Sequence, residues 1–142
     1  MKSIPAQVHA VQTHTRSEML DVTRLVTDRI REAKIRDGLA IIYVPHTTAA
    51  VTINENADPD VQHDLLQKLD ALIPRNEKYY QHAEGNSDSH LKTSLTGSSV
   101  QVLIESGRLI LGQWQGIYLC EFDGPRPRNL IIKLLDFTPT TI

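Results

Sequence analysis

A single cysteine, Cys120, stands in this chain of 142 residues. One thiol builds neither an internal disulfide nor a thiolate metal cage, and it fits a reducing compartment. Any metal site must therefore draw on His, Asp or Glu. Long apolar runs are also missing: the opening "MKSIPAQVHAVQTHT" lacks the apolar segment of a secretory signal, and no stretch approaches the ~20 residues that cross a bilayer. A cytoplasmic protein with no membrane partner is expected. Neither sign of charge dominates. The 15 Lys and Arg against 17 Asp and Glu give a formal charge of −2, and the cations are scattered along the chain. With no basic stripe to track a phosphate backbone, nucleic acid is not an expected partner. Also missing are a Walker loop, a G-x-G-x-x-G turn and a G-x-S-x-G elbow, so Ser98 and Ser99 have no case as nucleophiles. The length suits one domain over 1–142, large enough for a true core and too short for an eight-fold βα barrel.

What is present alternates in a readable way. "IPAQVHAVQTHT" mixes β-branched and polar residues as a half-exposed first strand does. Thr15 and Glu18 have the spacing of a capping box, and Met19, Val22, Val26, Ile30 and Ala33 then recur at helical spacing until Gly38 offers a stop. "LAIIYV" over 39–44 is apolar enough for a strand covered on both faces, and "AAVTIN" over 49–54 reads as the next strand. Asp58 followed by Pro59 opens a helix whose buried stripe is Val61, Leu65, Leu69 and Leu72, until Pro74 ends it. Residues 75–87 form a long polar loop, of the kind that more often serves function than decoration. A short helix over 88–96 ends at Gly97. "SVQVLIE", "RLILG", "IYLCEFD" and "RNLIIKLLDF" then follow as strands, separated by Ser106-Gly107, "GQWQG" and the turn-forming "DGPRP". Consecutive late strands joined by short turns imply antiparallel pairing. The predicted fold is α+β: a mainly antiparallel sheet or two-sheet sandwich with two longer helices and one short one.

Six histidines are present, in different contexts. His9 and His14 on the first strand and His63 on an amphipathic helix read as solvated or core imidazoles. His46 ends an apolar strand, where a rigid sheet either aims the ring at a cleft or leaves it facing water. His82 lies in the long loop, and His90 shares a helix face with Asn86, four residues before it. Together His46, His82 and His90 are enough to offer three neutral imidazoles to a divalent metal, zinc or magnesium, with a fourth position open. No H-E-x-x-H pair supports this, so the fold must make them converge. Glu55, Asp64 and Glu84 are each placed to orient an imidazole or accept a proton, or are simply solvated carboxylates. Arg126 and Arg128 point to one side of an extended segment: either a pair of guanidinium forks for phosphate, in which case loss of Arg128 weakens phosphate binding with little effect on folding, or a hairpin turn with exposed arginines. Trp114, between Gly112 and Gly116, is a stacking wall for a heterocycle or a buried core residue. Cys120, within an apolar strand, reads as a small buried hydrophobe.

Taken together, "HTTAAVTINENAD", "HAEGNSDSHLKTSLTGSS" and "GRLILGQWQGIYLCEFDGPRPR" resemble the YjbQ-type family, described as secondary thiamine-phosphate synthases. The likeness covers nearly the whole chain, in three blocks in the right order. It implies an α+β homotrimer with an anion- and metal-accommodating cleft near the subunit boundary. It also implies that His46, His82 and His90 share one site, with Asn86 and His90 matching an N-x-x-x-H element and with Glu55, Asp64, Trp114, Arg126 and Arg128 in matching places. The implied reaction joins a pyrimidine diphosphate to a thiazole phosphate and releases pyrophosphate, with Asp64, Glu55 and Asn86 as candidate catalytic groups and the arginines and Trp114 binding the phosphorylated small-molecule substrate. The word "secondary" allows that this is a side activity. The alternative is a trimeric protein that captures a phosphorylated metabolite or a metal without turnover.

Overall fold

The computed structural model describes residues 1–140. The elements run β1 (Lys2–Gln12), β2 (Glu18–Asp21), α1 (Thr23–Ala33), β3 (Asp37–Tyr43), β4 (Ala49–Glu55), α2 (Pro59–Leu72), α3 (Ser87–Thr96), β5 (Ser99–Glu105), β6 (Arg108–Leu109), β7 (Gln115–Glu121) and β8 (Pro127–Asp136). The strands form a five-stranded sheet, β1-β8-β3-β5-β6, and a three-stranded sheet, β2-β7-β4. All pairings are antiparallel. The α+β architecture expected from the late run of strands is therefore present.

Between the two sheets lies the main core. Val26 and Ile30 of α1, Ala40 and Ile42 of β3, Val51 of β4, Ile117 and Leu119 of β7, and Ile132 and Leu134 of β8 pack as one buried cluster, each large side chain contributing about 1.5–3 kcal/mol. A smaller cluster lies on the other face of the three-stranded sheet, where Ala50, Tyr118, Cys120 and Phe122 meet Met19, Leu66 and Leu69. The buried thiol of Cys120 fits the small-hydrophobe reading, and burial pushes its pKa up to about 12.

Four local expectations are corrected. First, residues 18–21 are a strand, because they pair with β7 from Glu18 opposite Glu121 to Asp21 opposite Tyr118. Thr15 Oγ1 does donate to Glu18 Oε2 at 3.0 Å, but this bond closes the turn before β2. The helix begins later, where Asp21 Oδ1 accepts from the N–H and hydroxyl of Thr23. Second, α1 stops at Lys34, whose φ of 57° is left-handed. Gly38 lies inside β3, where the Leu135 carbonyl oxygen would sit 2.1 Å from any Cβ. Third, β7 rather than β3 is the strand covered on both faces, since every residue from Gly116 to Glu121 is buried. On β3 only Gly38, Ala40 and Ile42 face the core. Fourth, α2 has no buried residue. Asp58 caps it as expected, accepting from Asp60 N–H at 2.9 Å, but its apolar stripe is only half covered and Leu72 is exposed.

Strand β1 lies at a sheet edge, and there the chain tolerates Pro5. The register with β8 shifts between Ile4 and Gln7, as expected where a residue without an N–H interrupts a ladder.

Candidate functional site

The sites expected from the sequence divide between the two ends of β4 and β7. At one end Ala49 is opposite Glu121, and at the other Glu55 is opposite Gln115. Seven residues of strand separate the ends by roughly 20 Å. Six of the nine expected residues gather at the Ala49 end: His46, His82, Asn86, His90, Arg126 and Arg128.

The foundation of that end is a buried ionic network. Glu121 is 0% exposed. Arg128 donates to it through Nε to Oε1 at 2.8 Å and through a terminal nitrogen to Oε2. The same guanidinium nitrogen donates to Thr48 Oγ1 at 2.8 Å. Thr13 Oγ1 and the N–H groups of Phe122 and Asp123 complete the carboxylate's partners. Burial pushes the Glu121 carboxyl up, but the Arg128 fork, the Thr13 hydroxyl and the Asp123 N–H outweigh it and hold the group below the usual carboxylate range. Alongside, Asp123 accepts from Arg126 and from Asn86 Nδ2. Asp88 accepts from Arg16 at 3.0 Å and from Lys92 at 3.1 Å. Lys92 is only 2% exposed and also reaches Asp70 of α2. Gly124 is required in this turn because a Cβ there would lie 2.3 Å from the Thr15 carbonyl oxygen.

Two expectations about the arginines are overturned here. Arg128 is 4% exposed, with its fork spent on Glu121, while Arg126 is exposed and held by Asp123. They do not form a shared phosphate clamp, and Arg128 is a folding residue because an unpaired buried carboxylate is costly. Asn86 is likewise buried and structural on one side: its amide nitrogen serves Asp123, while its Oδ1 has no partner.

Above this network the imidazoles line two adjoining cavities. His46 and His90 share one of about 350 Å³ with Thr47, Thr93, Ser94 and Ser98. His82 and His90 share a second of about 540 Å³ with Tyr79, Tyr80 and Leu91. The rings of His82 and His90 stand edge-to-face with centroids 5.3 Å apart, and Tyr79 and Tyr80 do the same at 5.2 Å. His90 is the common wall. His46 Nε2 accepts the Asn129 N–H at 2.8 Å. Burial and the nearby Arg128 charge lower its pKa against the opposing pull of Glu121. His46 is thus a neutral imidazole with its proton on Nδ1. Thr93 Oγ1, buried in the wall of the first cavity, has no hydrogen-bond partner.

Metal binding is testable against these donors. Among the described residues no three His, Cys, Asp or Glu side chains gather in metal-holding geometry, and His46 has already committed Nε2. One chain therefore offers the His82–His90 pair but not the expected three-imidazole set.

The other three expected residues lie elsewhere. Glu55 closes β4 at the far end, and the Trp114 carbonyl accepts from Asn56 N–H beside it. Trp114 is 56% exposed, so it is neither a core residue nor a wall of the histidine cleft. Asp64 faces solvent on α2, paired with His63 at 3.1 Å. Glu84 lies 3.9 Å from His82, beyond hydrogen-bond reach. Glu55 and Trp114, at the far end of the sheet, cannot act on a ligand held by the histidines of the same chain, and Asp64 lines neither histidine cavity.

The sequence reading passed over Arg16, Asp88, Lys92, Glu121 and Asp123. The four-residue spacing of Asp88 and Lys92 was a visible signal. Burial of two carboxylates flanking Phe122 was not, because it depends on which elements cover that turn. Tyr79 and Tyr80 were also missed, lying in a loop with no periodicity.

The comparisons with known proteins bear on this whole arrangement. The family model described as UPF0047 protein YjbQ-like matches residues 7–136. The chain belongs to this family. Among its relatives, the UPF0047 protein YugU of Bacillus subtilis is 52% identical over 125 residues, covering 88% of this chain and 95% of that protein. A UPF0047 protein of Methanocaldococcus jannaschii is 50% identical over 127 residues, covering 89% and 91%. The crystal structure of a YjbQ/UPF0047 family protein from Clostridium acetobutylicum is 48% identical, covers 91% of this chain and 99% of its own, and superposes with a TM-score of 0.89. That protein thus shares the two-sheet fold of this chain. No helix among the described residues is long and apolar enough to cross a membrane.

Proposed function

We propose that the histidine cleft binds a phosphorylated heterocycle and catalyses group transfer on it, as in the thiamine-phosphate-forming condensation. One observation carries the reading: His90 stands between an aromatic cavity and a hydroxyl-lined one, so a single ligand crossing it meets a stacking surface and a polar pocket. Tyr79 and Tyr80 offer ring faces for a pyrimidine. Imidazole N–H groups and the hydroxyls of Thr47, Ser94 and Ser98 offer donors for phosphate oxygens.

In the reaction, the thiazole nitrogen forms a bond to the methylene carbon of the pyrimidine. The carbon–oxygen bond to pyrophosphate breaks, and its electron pair leaves with the pyrophosphate. Donors fixed around the departing oxygens stabilise that developing charge without reorganising. A bound divalent ion would add Lewis acidity there, and imidazole donors suit zinc better than magnesium. With two imidazoles available, no step is assigned to the ion.

A homotrimer in the cytoplasm belongs to the same proposal. The outer face of the five-stranded sheet supports assembly. Val8, Ile131 and Tyr43 lie in one register row, and Leu135, Leu39 and Leu103 in another. Val8, Tyr43 and Leu103 are 58%, 43% and 54% exposed, and exposed apolar patches of this kind mark interaction sites.

The test is product analysis with hydroxymethylpyrimidine diphosphate and thiazole phosphate, using intact protein. His90→Ala should lower turnover by about 10²–10⁴-fold, the usual range for a positioned acid–base or donor group. Trp114→Ala should leave it unchanged. Equal rates for wild type and His90→Ala would sink the assignment, whereas binding of both compounds without turnover would favour the capture-protein reading.

A further inference from the structure

We infer that the chain carries a second ligand site, for a small organic phosphate, in the basic groove between α1 and the edge strand β6. The groove is a cavity of about 680 Å³, within the range that accommodates small-molecule ligands. It opens where β3 begins, and His46 lies beyond the far end of that strand, so roughly 20 Å of sheet separates it from the histidine cleft.

The lining is charged with one sign. Arg31, Lys34, Arg36 and Arg108 contribute to it and no carboxylate does, in a chain whose net charge is −2. Arg31 is paired with Asp28 at 3.2 Å. Among the described residues, Lys34, Arg36 and Arg108 have no carboxylate within the 4.0 Å of an ion pair. Glu105 is opposite Arg108 in register, and Asp37 opposite Glu105, yet neither makes such a pair with it. Three cationic residues that line one concavity and make no ion pair there favour a bound anion.

The backbone holds these cations in place. Gly107 N–H donates to the Arg36 carbonyl at 2.9 Å, tying the turn that carries Arg108 to the connection that carries Arg36. The two non-glycine residues with positive φ among those described, Lys34 at 57° and Ser106 at 51°, both line this groove. A helix normally ends in glycine at such a position. Lysine there accepts backbone strain and brings a charge to the rim, a pattern that points to function. Leu109 and Leu111, partly buried, form an apolar surface below, over the buried Ile30 and Ile35. Phosphate oxygens on the rim and a flat apolar body on these side chains describe a nucleoside phosphate or a compound of that shape.

Calorimetry on the intact protein, with inorganic pyrophosphate, adenosine diphosphate, adenosine and a single-stranded oligonucleotide of about ten bases, decides the matter. Adenosine diphosphate should bind about tenfold more tightly than pyrophosphate, and adenosine not measurably. Arg108→Gln should weaken the diphosphate about tenfold, one charged contact's worth. His90→Ala should leave the Arg108-dependent component of diphosphate binding unchanged, which separates this site from the proposed catalytic cleft. Lys34→Gly should lower affinity while raising the melting temperature, because it removes both the charge and the strain; a merely structural lysine would show no loss of affinity. The inference is overturned if neither phosphate probe binds, if Arg108→Gln binds as wild type does, if His90→Ala abolishes binding, or if the oligonucleotide outcompetes the diphosphate.

Discussion

Replacing Arg128 with alanine should unfold this protein far more readily than replacing an exposed arginine. The substitution leaves Glu121, which is fully buried, with the Thr13 hydroxyl and two backbone N–H groups but no counter-charge. Breaking a buried ion pair by removing one partner costs about 3–5 kcal/mol. At roughly 2–4 °C per kcal/mol for a chain of this size, the melting temperature should fall by about 10 °C. The pH dependence provides a sharper check. In the wild type the Glu121 pKa is depressed, so its contribution is present above the ordinary carboxylate pKa and is lost as pH falls through the folded value. In the variant the fork that opposes burial is gone, and the folded pKa should rise above the unfolded one. The variant's own contribution is then complete below the ordinary carboxylate pKa and lost as pH rises, so the gap between the two proteins should narrow on acidification from pH 7 to about pH 4.5. Urea unfolding followed by far-ultraviolet circular dichroism at both pH values measures this. A loss under about 1 kcal/mol at pH 7, or a loss of the same size at both, refutes the reasoning. The double variant Arg128→Met with Glu121→Leu should recover much of the stability, since apolar replacements of buried pairs are often near neutral.

Two other predictions concern the cleft and the open sheet face. His46 should titrate below the ordinary histidine range, because burial and Arg128 disfavour its charged form. Its contribution to stability is present above pH ~6.5 and is lost as pH falls from there toward the lowered value; proton NMR of the ring checks this, and a midpoint at or above the ordinary value would refute it. Leu103→Lys, on the outer face of the five-stranded sheet, should convert an assembly of about three times the 16.0 kDa chain mass to monomers with an unchanged circular dichroism spectrum. Light scattering distinguishes the two, and a monomeric wild type would remove the trimer from the proposal.

Legibility followed the range of the interactions. Asp58 and Pro59 opened α2 as read, and Gly97 closed α3, because caps depend on atoms a few residues apart. Residues 18–21 were misassigned because Met19 and Val22 satisfy helical spacing as well as strand pairing, and the deciding partner, β7, lies about a hundred residues later. The six site residues at one end of the sheets were nameable from the sequence, but their roles were not. Arg126 and Arg128 share a side only in an isolated extended segment. In the folded chain Glu121 claims one of them.

Composition and pattern by themselves determined an antiparallel α+β chain with no internal disulfide, because alternation, capping and turn chemistry are written in neighbouring residues. Tertiary structure alone decided that His90 divides two cavities, that Glu55 and Trp114 stand at the opposite end of the sheet, and that four scattered cations converge on one groove. Each of those outcomes depends on strand order and on which face is covered, and these are set by contacts between segments far apart in the chain.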